Sequence, residues 1–159
     1  MRIAIIYDSV FGNTAHIAEA IGRSAHSLGE VTMLPVRDAH SLDPAAFDLL
    51  VIGSPTRGFA PTPAIAEFTA SLATGTTRAA ALDTRLEPDH IQPAPLRWVI
   101  QVGGYAANRI AEGLRHRGYE VVEPHGDFLV EGAEGPLKPG EIERAEAWLR
   151  QVAGSSPAA

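Results

Sequence analysis

The sequence contains no cysteine among its 159 residues, which excludes disulfide frameworks, cysteine nucleophiles, Fe–S clusters and thiolate zinc sites together. Positive charge is also scarce, because 13 basic residues stand against 19 acidic ones and the formal net charge is −6. A large basic surface for nucleic acid is therefore not expected. An acidic balance of this size is typical of a soluble small-molecule binder or of a partner for a basic protein surface.

Long hydrophobic runs are missing as well. The first apolar run, Ile3 to Tyr7, is too short for the core of a signal peptide, and Asp8 ends it. No stretch approaches the roughly 18 apolar residues that a membrane span requires. We therefore expect a cytoplasmic protein that contacts no membrane. The six histidines show no close metal-ligand spacing, so no metal site is expected.

The remaining composition is that of one folded domain. Hydrophobic residues make up 45% of the chain and charged residues 20%, which are ordinary globular values. We expect a single domain over residues 1–153 and a disordered tail over residues 154–159.

Short apolar runs alternate with amphipathic stretches along the chain. Strands are expected at residues 1–7, 31–36, 47–53, 78–84 and 119–122, with a possible continuation at 127–130. Inward faces of the intervening helices are expected to carry Ile17, Ile21 and Leu28; Ile65, Phe68 and Leu72; Ile110 and Leu114; and Ile142 and Leu149. Pro139 is expected to open the last helix. Residues 79–81 would suit a helix equally well, and residues 98–102 could form a strand. Strict alternation with short connections predicts a parallel sheet covered by helices on both faces.

The loop after the first strand has the composition of a phosphate site. Ligands of such sheets bind beyond the carboxyl ends of the strands, and Ser9-Val10-Phe11-Gly12-Asn13-Thr14 lies there. It combines hydroxyls, an amide and backbone N–H groups at a helix start, and Gly12 permits close approach of a ligand. Without a lysine it is not the ATP-binding P-loop, and it lacks the Gly-x-Gly-x-x-Gly dinucleotide motif. A turn with a helix cap is the alternative interpretation.

Two motifs indicate a family. The pattern Ile5-Ile6-Tyr7-x-Ser9-x-x-Gly12-x-Thr14-x-x-x-Ala18-x-x-Ile21 resembles the flavodoxin signature at each fixed position. Gly53-Ser54-Pro55-Thr56-Arg57-Gly58 resembles the flavin-contacting loop after the third strand of the same superfamily. The resemblance is motif-specific in the first half and architectural after about Arg85. It implies an α/β, flavodoxin-like three-layer α/β/α fold with a five-stranded parallel sheet in the order 2-1-3-4-5.

The resemblance also implies an FMN cofactor and its contacts. The first loop would hold the phosphate, the second would run along the flavin ring, and the third would begin at the end of the fourth strand. Gly58 lies where such proteins reorient a peptide towards the flavin when it is reduced. The implied cofactor-binding residues are Ser9, Val10, Phe11, Gly12, Asn13, Thr14, Ser54, Pro55, Thr56, Arg57, Gly58, Phe59, Asp83, Thr84 and Arg85.

The chain departs from the family at the ring. Flavodoxins often stack aromatic residues on the flavin, whereas Arg57 occupies the first such position, as in the quinone-reductase branch. Phe59, Trp98 and Tyr105 could stack on the ring or serve only in packing. Asp83 and Arg85 could form an internal ion pair or contact the flavin. Residues 86–104 are unlike the family.

The leading functional prediction is an FMN-binding electron-transfer protein that serves a redox partner, either a reductase or an acceptor. One alternative is an FMN-dependent NAD(P)H:quinone oxidoreductase, which Arg57 favours. Another is a flavodoxin-fold interaction module without a cofactor. No nucleic acid partner is expected, and the oligomeric state is left open.

Overall fold

The structure is a computed structural model that describes residues 1–87 and 104–155 of the chain. Its strands are β1 (Arg2–Tyr7), β2 (Glu30–Pro35), β3 (Leu49–Pro55), β4 (Arg78–Leu86), β5 (Glu120–Val121) and β6 (Gly126–Val130). Its helices are α1 (Asn13–His26), α2 (Pro63–Ser71), α3 (Ala106–His116) and α4 (Glu141–Gly154), and short 3₁₀ turns lie at Val36–Asp38 and Pro44–Ala46.

All strand pairs of the sheet are parallel, and the order is β2-β1-β3-β4-β5. The predicted order 2-1-3-4-5 is thereby confirmed, with the third strand beside the first. The fifth position is shared by two short strands, β5 and β6, in place of the predicted single strand with a possible continuation. Strand β5 pairs with Arg78 and Ala79, and β6 pairs with Leu82–Leu86.

The central strands are apolar throughout because helices cover both of their faces. Ile3 and Ile5 pack on the side of α1 and α4, whereas Ala4 and Ile6 pack on the side of α2 and α3. The three alanines of residues 79–81 form a strand, and all three are fully buried. Small side chains in β4 let the helices approach the sheet closely, so their weak strand propensity is overridden by packing.

Several boundaries differ from those predicted. Helix α1 ends at His26, so Leu28 lies beyond it and is 38% exposed rather than inward. Helix α4 begins at Glu141, after Gly140 with φ 88°, so the prediction that Pro139 opens it is wrong. It ends at Gly154, the first residue of the expected tail. The expected strand at residues 98–102 and most of the 86–104 loop lie outside the described residues, as do residues 156–159.

Candidate cofactor site

A cleft of about 380 Å³ lies at the carboxyl ends of β1, β3, β4 and β6. Most of the predicted cofactor residues line it, namely Ser9, Val10, Phe11, Asn13, Thr14, Pro55, Thr56, Arg57, Gly58, Phe59, Thr84 and Arg85. Gly12, Ser54 and Asp83 do not line it. Tyr105, a predicted candidate for ring stacking, is part of the wall, and Trp98 lies outside the described residues.

The first loop turns directly into helix α1. The Ser9 Oγ accepts hydrogen bonds from the backbone N–H groups of Gly12 and Ala15, each at 3.2 Å. Gly12 is the N-cap, with φ 97° and open space where a Cβ would stand. The N–H groups of Asn13 and Thr14 have no hydrogen-bond acceptor within the described residues, and the first turn carries no acidic side chain. The helix therefore presents unpaired donors and the positive end of its dipole to the cleft.

A buried hydroxyl pair forms part of the cleft floor. Thr14 Oγ1 and Thr84 Oγ1 are 2.8 Å apart, and the two residues are only 1% and 4% exposed. The carbonyl of Thr84 also accepts a hydrogen bond from the backbone N–H of Thr56 at 2.9 Å. Thr84 therefore connects the first and second loops to strand β4.

The second loop is a tight turn. The backbones of Arg57 and Ala60 exchange hydrogen bonds of 2.8 Å and 3.0 Å. Between them Gly58 has φ 55° and Phe59 has φ 66°, which is the pattern of a type I′ turn. Phenylalanine is rare at positive φ, and the Phe59 carbonyl is held by Arg109 Nε at 2.8 Å.

Ser54 supports this loop from inside the fold. Its hydroxyl accepts from the backbone N–H of Thr62 at 3.0 Å and donates to the Pro55 carbonyl at 2.9 Å. The residue is fully buried, so the structure assigns its side chain to loop anchoring.

Arg57 lies at the mouth of the cleft, against the first loop. Its guanidinium carbon is 5.4 Å from the centre of the Phe11 ring, and Phe11 is 48% exposed. This contact is a cation–π pair at an exposed site. It connects the second loop to the first loop at the mouth of the cleft.

Asp83, Arg85 and Tyr105 form one unit, called here the Arg85 unit. The Asp83 carboxylate accepts from Arg85 Nε and Nη2, both at 2.7 Å, and from the backbone N–H of Ala107 at 2.9 Å. The guanidinium carbon of Arg85 is 3.5 Å from the centre of the Tyr105 ring. Burial raises the pKa of Asp83, and the ion pair with Arg85 opposes that rise. The sequence left open whether this pair forms or contacts a ligand. In the structure Asp83 forms the pair and does not line the cleft, whereas Arg85 forms it and also lines the cleft.

A fourth segment of the wall was missed by the sequence analysis. Val130, Ala133 and Glu134, which end β6 or follow it, line the cleft. The Asn13 side-chain amide donates to the Glu134 carbonyl at 3.2 Å, and a Cβ at Gly135 would lie only 2.5 Å from Asn13 Oδ1. Two features of the sequence could have predicted this segment of the wall. All strands of a parallel sheet end at the same edge, and glycines flank the turn that follows β6.

The described residues contain no group of three metal-ligating side chains placed to hold an ion. Over the same residues, no helix has the length and hydropathy needed to cross a bilayer.

Comparison with known proteins agrees with this architecture. A model of the family described as flavodoxin domain matches residues 4–81. A flavodoxin from the domain Archaea has 19% identity and a TM-score of 0.74, over 96% of each chain. Flavodoxin 1 from Bacillus cereus has 18% identity and a TM-score of 0.74, over 98% of this chain and 100% of its own. A WrbA-like flavodoxin from Agrobacterium tumefaciens has 16% identity and a TM-score of 0.64, over 96% of this chain and 94% of its own. No curated protein has a matching sequence.

The class of protein is thus an open, doubly wound α/β protein with the flavodoxin fold. Within that class, residues 4–81 are similar in sequence to the flavodoxin domain, and this part of the chain contains the first and second loops of the cleft.

Proposed function

We propose that the chain binds FMN in this cleft and carries electrons between redox partner proteins. The observation that carries the proposal is the start of helix α1, where the N–H groups of Asn13 and Thr14, which have no acceptor among the described residues, meet a ligand-sized cleft. When bound, FMN would supply the redox chemistry, and the protein would set its orientation and electrostatic surroundings.

The donor set of the first loop suits a phosphate group. It consists of backbone N–H groups with the Ser9 hydroxyl and the Asn13 amide, and residues 8–15 contain no lysine or arginine. Binding by such neutral donors depends on geometry and on the helix dipole, because no side-chain cation is available there. The Thr14 hydroxyl is already paired with Thr84, so its backbone N–H is the group offered to the phosphate.

The rest of the cleft suits a flat aromatic ring. Phe11 and Phe59 contribute aromatic surface, and Tyr105 lines the same cleft with Arg85 of β4 against its ring. The turn at Gly58 places backbone groups along the same wall. Cofactor pockets combine such apolar surface with a few fixed polar groups.

The net charge of −6 favours a redox partner with a basic docking face, and a cytoplasmic location belongs to the same proposal.

A second candidate function is FMN-dependent NAD(P)H:quinone oxidoreductase, which the exposed Arg57 at the cleft mouth favours. Steady-state turnover of NAD(P)H with a quinone by the purified protein would distinguish the enzyme from a carrier. A cofactor-free interaction module would show no flavin absorbance.

The decisive experiment compares FMN with riboflavin by flavin fluorescence quenching, after a visible spectrum of the purified protein. Two net hydrogen bonds to a charged acceptor, at about 1.5 kcal/mol each, predict roughly a 100-fold preference for FMN. Asn13→Asp should reduce that preference on the order of tenfold by placing a negative charge beside the phosphate. Asn13→Ala is the matched control, because it loses the same bond to Glu134 without adding charge. Equal affinities of the wild-type protein for both ligands would refute the proposed phosphate site.

A further inference from the structure

We propose that Arg85 is a fixed cation of the cleft, positioned by Asp83 and Tyr105, that favours the reduced over the oxidised form of a bound flavin. The inference rests on the proposed flavin binding and adds a residue that sets the reduction potential. Asp83 has a positioning role in it, because its carboxylate acts only through Arg85.

The guanidinium is held on two sides. The bidentate pair with Asp83 uses Nε and Nη2 at 2.7 Å, so the carboxylate leaves Nη1 unused. The Tyr105 ring covers the guanidinium at 3.5 Å from its carbon. The side chain of Arg85 is 14% exposed and that of Asp83 is fully buried. A planar fork fixed in this way loses little conformational freedom when it meets a ligand.

The Arg85 unit is tied to the surrounding elements. Asp83 also accepts from the N–H of Ala107, in the first turn of α3. The neighbouring N–H of Ala106 donates to Thr56 Oγ1 at 3.0 Å, which connects the start of α3 to the second loop. The position of the cation is therefore determined by β4, α3 and the second loop together.

The alternation of β4 indicates which part of the ligand the cation would face. Asp83 and Arg85 lie on the same face as Ala79 and Ala81, towards α2 and α3. Thr84 points to the opposite face, where it contacts Thr14 at the start of α1. Arg85 thus lies across the strand from the loop proposed to bind phosphate, so its charge would act on the ring end of the flavin.

The ion pair is neutral as a whole, and it acts as an oriented dipole. Its negative end is buried behind the wall, whereas its positive end lines the cleft. Reduction adds negative charge to a flavin ring, so a nearby fixed positive end stabilises the reduced form more than the oxidised form.

The test is a potentiometric titration of the FMN-loaded protein, together with affinities for FMN and riboflavin. Arg85→Gln alone leaves a buried carboxylate without its partner and endangers folding, so the main variant is Asp83→Asn/Arg85→Gln. Its side-chain oxygen at position 83 can still accept from Ala107. We expect reduced FMN to lose about tenfold in affinity relative to oxidised FMN, which lowers a two-electron potential by about 30 mV. The FMN-to-riboflavin affinity ratio should stay at its wild-type value.

Arg57→Gln is the matched control, because Arg57 lines the same cleft without a carboxylate partner within the described residues. Its shift should be smaller than that of the double variant. Arg85→Lys should give an intermediate shift, since it keeps the charge and loses the fork. An unchanged potential in the double variant, or a change confined to the FMN-to-riboflavin ratio, would overturn the role of Arg85. A wild-type protein that binds no flavin would overturn the proposed function as well.

Discussion

Replacing Thr14 with valine removes one hydroxyl of the buried pair beneath the cleft and leaves the shape of the side chain almost unchanged. The partner oxygen, Thr84 Oγ1, then stays buried, since Thr84 is only 4% exposed, and it loses a hydrogen bond of 2.8 Å. A buried polar group without its partner costs about 1–3 kcal/mol. We therefore expect Thr14→Val and Thr84→Val each to lower the free energy of unfolding by about 1–2 kcal/mol without flavin.

The double variant tests the pairing itself. Removing both hydroxyls leaves no unpaired group, so the double variant should be nearly as stable as either single variant, with a coupling energy of about 1 kcal/mol. The assay is urea unfolding of the flavin-free protein. Thr76→Val, at an exposed position, is the control and should change stability by less than about 0.5 kcal/mol. Additive losses at positions 14 and 84 would refute the hydroxyl pair as a structural element of the site.

Two further predictions concern stability. Burial lowers the pKa of His125, whose Nδ1 has no hydrogen-bond partner in the part of the chain that the structure describes. Below the ordinary pKa of 6.5, the unfolded chain therefore binds a proton that the folded chain does not. The free energy of unfolding should therefore fall as the pH drops below 6.5, by at most about 1.4 kcal/mol per pH unit, and His125→Gln but not His40→Gln should flatten that slope in urea titrations. At Phe59, where φ is positive, Phe59→Gly should be about 1 kcal/mol more stable than Phe59→Ala, and the usual order, alanine above glycine, would contradict the turn geometry.

The sheet was predictable because its determinants are local. Apolar runs at Ile3–Tyr7 and Phe47–Gly53 predicted buried strands, and short connections predicted a parallel sheet. The order of the strands came from the resemblance to flavodoxins. The first loop was predictable for the same reason, since Ser9, Gly12 and Thr14 belong to one contiguous motif. The motif did not predict the role of the Thr14 hydroxyl, however. That hydroxyl pairs with Thr84, which lies 70 positions away in the sequence.

The other walls depend on tertiary contacts that leave little trace in the sequence. The positive φ of Phe59 occurs where glycine would be expected, and a hydrogen bond from Arg109, fifty positions away, holds its carbonyl. The fifth strand is divided into β5 and β6, and the turn after β6 brings the Glu134 carbonyl against the Asn13 side chain. Such positions are determined by the packing of whole elements against one another, which periodicity does not encode.

The two arginines of the cleft show how a sequence pattern can direct attention to one residue and away from another. Arg57 is conspicuous because it stands where the resemblance leads one to expect an aromatic residue, yet its side chain contacts an exposed ring, that of Phe11. Arg85 is less conspicuous, although it lies two residues after Asp83 on a strand, a spacing that puts both side chains on one face. That spacing made the ion pair predictable, whereas the Tyr105 ring that completes the Arg85 unit comes from the residue before helix α3, twenty positions further along the chain. A cation held by the Asp83 carboxylate and the Tyr105 ring keeps its place when a ligand binds, so the Arg85 unit has the stronger physical basis for tuning a cofactor.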